Sequence, residues 1–168
     1  MKESVLDILI YLFENYSDPD FDPDVASGEL RDAETKIRAS LRRELEQAGF
    51  RATVIDSAFA WLDSLASSSE RNVSPPAPRS VRIFADRECA KLDGDCRNYI
   101  LYLENIGILT ATQRELVIDR LLALDSVSVD IDQTKWVVLM VLFSQPGHED
   151  AYARMEELLF SGRAAALH

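Results

Sequence analysis

Eight consecutive apolar residues, Trp136 to Phe143, place the strongest constraint on how this chain folds. They stand between a polar start at Asp130 to Gln133 and a stop at Ser144 to Gly147. A helix that is apolar on every side must be covered on every side, so the run predicts the central helix of a helical domain. At 1.5 Å per residue it spans roughly 12 Å, far short of the roughly 30 Å hydrocarbon core of a bilayer. We therefore expect no membrane span.

Helical periodicity continues along most of the chain. Between Glu29 and Ala48, apolar positions recur every three or four residues, and Gly49 suits a left-handed helix end. Similar patterns predict about seven helices in an all-α fold around the central one: 4–16, 29–48, 54–66, 86–106, 110–124, 130–143 and 149–161. Within 86–106, Gly94 permits a bend.

Several helix starts carry residues typical of N-caps. Thr110 with Gln113 forms a capping-box pattern, and Asp130 or Asp132 suits the start of the central helix. We expect Thr53 to cap the third helix and Asp86 the fourth.

One short strand is compatible with residues 80–85. There Val81, Ile83 and Ala85 alternate with Ser80, Arg82 and Phe84. Because no second clear strand follows, we expect no sheet.

Composition suggests two helical parts joined by a linker. Residues 67–80 combine serines and prolines with almost no apolar content, which is typical of an exposed, semi-extended linker. We predict an N-terminal helical subdomain at 1–66, containing an acidic loop at 17–28, and a C-terminal helical subdomain at 81–168.

The formal net charge of −11 argues against general affinity for nucleic acid, since that affinity comes mainly from Lys and Arg. A basic protein partner fits the charge better. The chain has only two cysteines, as a reducing compartment allows, and its N-terminus does not resemble a signal peptide. We expect a cytoplasmic protein without membrane partners.

No residue pattern predicts a catalytic, cofactor or metal site. On a straight helix, Cys89 and Cys96 would lie about 10 Å apart, beyond the roughly 7 Å limit for a disulfide, so we expect both to pack in the core. A break at Gly94 leaves a metal or redox pair open. His148 and His168 belong to no paired-histidine motif, and we expect neither to be catalytic. Acidic pairs such as Glu156-Glu157 suit a solvated helix surface.

Nucleic-acid binding by a helix-turn-helix or winged-helix module is the first alternative. The helices around Gly49 resemble such a hairpin, and five arginines supply its basic groups: Arg38, Arg42, Arg43, Arg79 and Arg82. Against it, the second helix carries Asp56 and Asp63 and no basic residue after Arg51. An enzyme with a noncanonical site is the second alternative.

Several segments together resemble the Smg family of small bacterial proteins. These are Leu6–Tyr16 (LDILIYLFENY), Arg82–Leu109 (RIFADRECAKLDGDCRNYILYLENIGIL), Arg114–Leu124 (RELVIDRLLAL), Lys135–Gly147 (KWVVLMVLFSQPG) and Glu149–Phe160 (EDAYARMEELLF). One departure is Ala85, where the family pattern has Thr before the acidic helix start.

The resemblance implies a bacterial cytoplasmic protein and brings no catalytic or cofactor residues with it. Genes of the family often lie near one for a DNA-processing protein of the type used in natural transformation. We therefore expect a non-enzymatic interaction or regulatory protein that acts in DNA processing through a protein partner.

Overall fold

Eight α-helices make up the regular structure of the described residues in a computed structural model of the chain, which covers 4–16, 30–69, 81–145, 147 and 149–165. They are α1 (Val5–Tyr16), α2 (Leu30–Gln47), α3 (Ala52–Ser69), α4 (Asp86–Lys91), α5 (Gly94–Asn105), α6 (Ala111–Leu122), α7 (Ile131–Phe143) and α8 (Glu149–Ala165). These residues contain no β-strand, which confirms the all-α prediction.

The chain divides into two compact units, Met1–Ala60 and Trp61–His168, with the boundary inside α3. Because α3 continues to Ser69, the predicted linker at 67–80 begins within a helix. The rest of that linker, at 70–80, and the acidic loop at 17–28 lie outside the described residues. The division into subdomains 1–66 and 81–168 stays a prediction.

In the first unit, the chain turns sharply between α2 and α3. Gly49 has a φ of +95°, and the Phe50 N–H donates to the Leu45 carbonyl at 3.1 Å. This confirms the left-handed end at Gly49, which glycine adopts without the steric cost of a Cβ. Leu45 and Ile55, on either side of the turn, are fully buried.

In the second unit, α7 packs against α5, α6 and α8. Val137 to Leu142 are all buried, as expected for a helix covered on every side. The ends of the apolar run differ, because Trp136 is half-buried and Phe143 is 51% exposed. The central helix is therefore confirmed, with its fully covered part confined to 137–142.

The predicted helix over 86–106 is wrong, because α4 ends at Lys91 and α5 begins at Gly94. The buried side chain of Leu92 accounts for the break: its residue forms an isolated parallel bridge with Val129. The Asp93 side chain then accepts from the Cys96 N–H at 2.8 Å and starts a new helix. Gly94 lies in the first turn of α5 instead of bending a longer helix.

Two of the predicted helix starts are confirmed in detail. The Thr110 hydroxyl accepts from the Gln113 N–H at 3.2 Å, and the Gln113 side chain accepts from the Thr110 N–H at 2.8 Å. The same reciprocal pair joins Asp130 and Gln133 at 2.8 and 3.0 Å, so Asp130 and not Asp132 caps α7.

Two other predicted caps are wrong. Because α3 begins at Ala52, Thr53 already lies inside the helix. Because α4 begins at Asp86, its N-cap is Ala85. Ala85 has no side-chain acceptor, so only one half of a capping box is present: the Glu88 carboxylate accepts from the Ala85 N–H at 2.7 Å.

Candidate interaction surface

The residues Val81–Ala85, here called the extended segment, lead into α4. They form no strand, which corrects the short strand predicted near 80–85. Their exposure nevertheless alternates as in a strand: Val81 and Ile83 are 86% and 82% exposed, whereas Arg82 and Phe84 are partly buried. Two β-branched apolar side chains thus project into solvent from one face.

Arg82 fixes the inner face of the extended segment to α4 and α6. Its guanidinium donates to both oxygens of Glu88, at 2.8 and 3.0 Å, and to both oxygens of Glu115, at 2.8 and 3.1 Å. Hydrogen bonds from Arg82 hold the pKa of Glu88 below its ordinary value, and those two carboxylates raise the pKa of Arg82. Bidentate pairing of this kind adds geometric specificity to charge attraction.

The ion pairs continue from Glu115 into α5. Arg114, which is buried, donates to Glu115 at 2.8 Å and to Glu104 at 2.6 Å. Arg82, Arg114 and the three glutamates Glu88, Glu104 and Glu115 therefore form one continuous network. Through this network the extended segment is tied to the buried guanidinium of Arg114, which cannot move without losing its carboxylate partners.

Two arginine side chains lie over the ring of Phe84. The guanidinium of Arg82 is 5.0 Å from the ring centroid and that of Arg97 is 5.8 Å. Cation–π contact favours both positions. These contacts also stabilise the inner face of the extended segment.

Three of the predicted nucleic-acid-binding arginines lie on α2, in the first unit. Arg42 is paired with Asp56 at 3.0 Å, and the Arg38 guanidinium lies 5.3 Å from the ring centroid of Phe59. Arg43 is exposed.

The other two arginines belong to the second unit. Arg82 is engaged by Glu88 and Glu115 as described. Arg79 lies outside the described residues. Binding of nucleic acid by the five arginines stays a prediction.

The two cysteines differ in environment. Cys96 is buried, as predicted; its thiol donates to the Val129 carbonyl at 3.4 Å, and burial raises its pKa to about 11. Cys89 is exposed and accepts a hydrogen bond from Arg97 at 3.0 Å, so its predicted place in the core is wrong. The break at Leu92 explains the difference, because α4 and α5 do not share one apolar stripe. His148 and His168 lie outside the described residues.

A polar surface cleft of about 400 Å³ lies between the end of α3 and α6, lined by Asp63, Ser64, Ser67, Ser68, Asp119 and Arg120. The hydroxyls of Ser67 and Ser68 donate to main-chain carbonyls one turn earlier, at 2.9 and 2.7 Å. Arg120 donates to Asp119 at 2.6 Å, and its guanidinium lies 5.8 Å from the ring centroid of Trp61. The cleft is thus bordered by groups that already bind one another.

Two kinds of site are not seen in the part of the chain that the structure describes. No three His, Cys, Asp or Glu side chains there converge in a way that could hold a metal ion. No helix there combines the length and hydropathy that a membrane crossing needs.

The outward position of Val81 and Ile83 was not among the predictions from sequence. The alternation of residues 80–85 carries the signal, but an alternating pattern predicts a strand and does not say which of its faces is exposed. Identifying Arg82 as the residue that fixes the segment required knowing that Glu115 lies beside Glu88.

Comparison with known proteins places the chain in a family. A family model described as "Protein of unknown function (DUF494)" matches residues 5–168. Proteins named "Protein Smg homolog" from Halorhodospira halophila, Stenotrophomonas maltophilia and Alkalilimnicola ehrlichii are 48%, 49% and 46% identical to the chain over 168 residues, covering 100% of each partner in the comparison. No solved structure matches the chain significantly. The resemblance found in the sequence is confirmed: the chain belongs to the Smg family.

Proposed function

We propose that the chain is a non-enzymatic interaction protein of the bacterial cytoplasm, which binds another protein and acts in DNA processing through it. The observation that carries the proposal is the outward pair Val81 and Ile83, 86% and 82% exposed. Single exposed apolar side chains are ordinary on soluble proteins. This pair differs because Arg82, the residue between Val81 and Ile83, is paired with the carboxylates of Glu88 and Glu115. The segment therefore cannot turn its apolar face inward without breaking those ion pairs.

The charge of the chain also supports a protein partner over nucleic acid. Its formal net charge is −11, and phosphate binding depends on cations that are free to replace condensed counterions. Arg42 and Arg82, two of the arginines in the nucleic-acid alternative, are already paired with carboxylates. Using either one on a phosphate would leave a carboxylate without its partner.

The hydrogen bonds in the polar cleft argue against a serine nucleophile at Ser67 or Ser68. A serine nucleophile needs a base that takes its hydroxyl proton. In the cleft, Ser67 and Ser68 donate their protons to main-chain carbonyls, which cannot act as bases. The proposed link to DNA processing rests on the gene neighbourhood typical of the family.

Crosslinking in the source bacterium tests the proposal. Tagged chain is crosslinked in cells and purified, and the adducts are identified by mass spectrometry. We expect one protein in near-stoichiometric yield, and much less of it with the double variant Val81→Asp, Ile83→Asp. Val127→Asp is the matched control, because Val127 is a 95% exposed apolar residue far along the chain.

The same material tests the nucleic-acid alternative. We expect no shift in DNA or RNA mobility at moderate salt. A salt-dependent shift that weakens when Arg38, Arg42 and Arg43 are replaced would contradict the proposal, as would repeated crosslinking that recovers no partner.

A further inference from the structure

We infer that Val81–Phe84 is a docking edge for the partner protein. An extended peptide of the partner pairs with this edge by strand addition. This inference rests on the proposed function and specifies how the partner is recognised. In strand addition, main-chain hydrogen bonds supply affinity and alternate side chains supply specificity. The segment offers both main-chain groups without hydrogen bonds and exposed side chains at alternate positions.

The main-chain groups of the segment divide between two edges. On the edge of the odd-numbered residues, the Ile83 carbonyl accepts from the Arg82 side chain and the Ala85 N–H donates to Glu88. On the even-numbered edge, the Phe84 carbonyl accepts from the Cys89 thiol at 3.9 Å, whereas the N–H and C=O of Arg82 and the N–H of Phe84 have no hydrogen bond among the described residues. Because the groups of residues i and i+2 point to the same side of an extended chain, these three face one direction.

The side chains add the apolar half of the recognition. Val81 and Ile83 stand on the same face, two residues apart, and both are of the β-branched type that packs well across paired strands. A partner strand with apolar side chains at alternate positions would cover them. Except at its ends, a helix offers no free main-chain donors or acceptors for Arg82 and Phe84, so the open groups favour an extended occupant.

The size of the edge favours a peptide segment over a second copy of this chain. Four extended residues span about 13 Å. One strand pair of that length buries far less than the roughly 1,200 Å² typical of a stable interface between folded proteins. An extended peptide needs only the main-chain bonds and a few side-chain contacts.

The segment is also held ready for pairing. On the inner face, Arg82 is paired with Glu88 and Glu115, and the guanidiniums of Arg82 and Arg97 lie over the ring of Phe84. A segment that is already ordered loses less conformational entropy on binding than a free loop does. Arg82 is therefore a positioning residue, which acts through the segment and not by touching the partner.

Short peptides selected from a random display library on the full-length chain supply a defined probe. We expect selected sequences with β-branched or aromatic residues at alternate positions. In amide hydrogen exchange measured by NMR, the bound peptide should protect the amides of Arg82 and Phe84 and leave that of Ile83 unchanged. This alternation is the signature of one paired edge.

Variants of the exposed face complete the test. Val81→Asp with Ile83→Asp should weaken peptide binding at least about tenfold, since burying two aliphatic side chains is worth more than that factor. Val127→Asp should bind like the unmodified chain, and unchanged circular dichroism would show that each variant folds. Selected peptides of helical pattern, protection elsewhere, or equal affinity for the double variant would overturn the inference. Concentration-dependent dimerisation that protects the same two amides would overturn the choice of occupant.

The two proposals fail in different ways. If the double variant still crosslinks the same protein in cells, strand addition on this segment is wrong, and only the binding of a protein partner at another surface stands. If no protein is crosslinked in cells, the proposed function is wrong whatever the peptides do.

Discussion

The Arg82 guanidinium donates to both carboxylate oxygens of Glu88, at 2.8 and 3.0 Å, across the start of α4. Glu88 at the same time accepts from the Ala85 N–H at 2.7 Å and completes the first turn of that helix. One carboxylate thus both starts a helix and holds the segment before it. Because Arg82 is held on the inner face by Glu88, the neighbouring side chains of Val81 and Ile83 point into solvent.

Replacing Arg82 by Gln should lower the free energy of unfolding by about 1–3 kcal/mol, because the charge of a largely buried Glu88 then loses its partner. Urea denaturation at neutral pH measures the change. Arg87→Gln is the control, since Arg87 is exposed on α4, the helix that carries Glu88. This substitution should lower the free energy of unfolding by less than about 0.5 kcal/mol. Equal effects of the two variants would show that the Arg82 ion pairs add little.

Acid should remove the contribution of Glu88. Arg82 lowers its pKa in the folded chain, so the contribution is complete well above the ordinary value of 4.5 and is lost as the pH falls through the lower folded pKa. We expect the stability difference between the unmodified chain and Glu88→Gln to shrink as the pH falls below 4.5. Glu157→Gln, at an exposed position on α8, should show no such trend. A Glu88→Gln difference that stays constant with pH would contradict the lowered pKa.

Leu139→Asp should leave the chain unfolded or insoluble. Leu139 is 2% exposed within α7, and burying an unpaired carboxylate costs several kcal/mol, a large part of the roughly 5–15 kcal/mol that stabilises a typical domain. Solubility and circular dichroism measure the outcome. Val127→Asp makes the same change at a 95% exposed position and should be tolerated. A soluble, folded Leu139→Asp variant would mean that α7 is not the centre of its unit.

Thiol labelling should distinguish the two cysteines. Cys89 is exposed, whereas Cys96 is buried and has a pKa raised to about 11, so little of its thiol ionises at pH 8. We expect iodoacetamide to modify Cys89 in the folded chain and to reach Cys96 only in denaturant. Peptide mass spectrometry gives the positions. Rapid labelling of Cys96 in the native chain would contradict the packing of α5 against Val129.

Much of the fold could be predicted from local signals. The apolar run, the capping box at Thr110 and the helix end at Gly49 each act over a few residues, and each is confirmed, with Phe143 exposed at the end of the run. The cap predicted at Asp130 or Asp132 lies at Asp130. The break between α4 and α5 could not, because it depends on Leu92 pairing with Val129 far along the chain. The same break leaves Cys89 exposed, contrary to the prediction that it packs in the core.

The candidate surface was less predictable for a related reason. The alternation at 80–85 predicts a strand, and residues 81–85 form none, although their exposure alternates. Which face turns outward depends on Arg82 meeting Glu115, thirty-three residues away. Periodicity alone places β-branched residues inward and arginine outward. Here the ion pairs outweigh that preference, since they satisfy two carboxylates at once.

A photoreactive amino acid placed at Val81 tests the central claim most directly. After irradiation in the source bacterium, we expect one protein adduct, lost when Ile83→Asp is added, and none when the same amino acid replaces Val127. No adduct at Val81, or equal adducts at Val127, would contradict a protein-binding role for this surface.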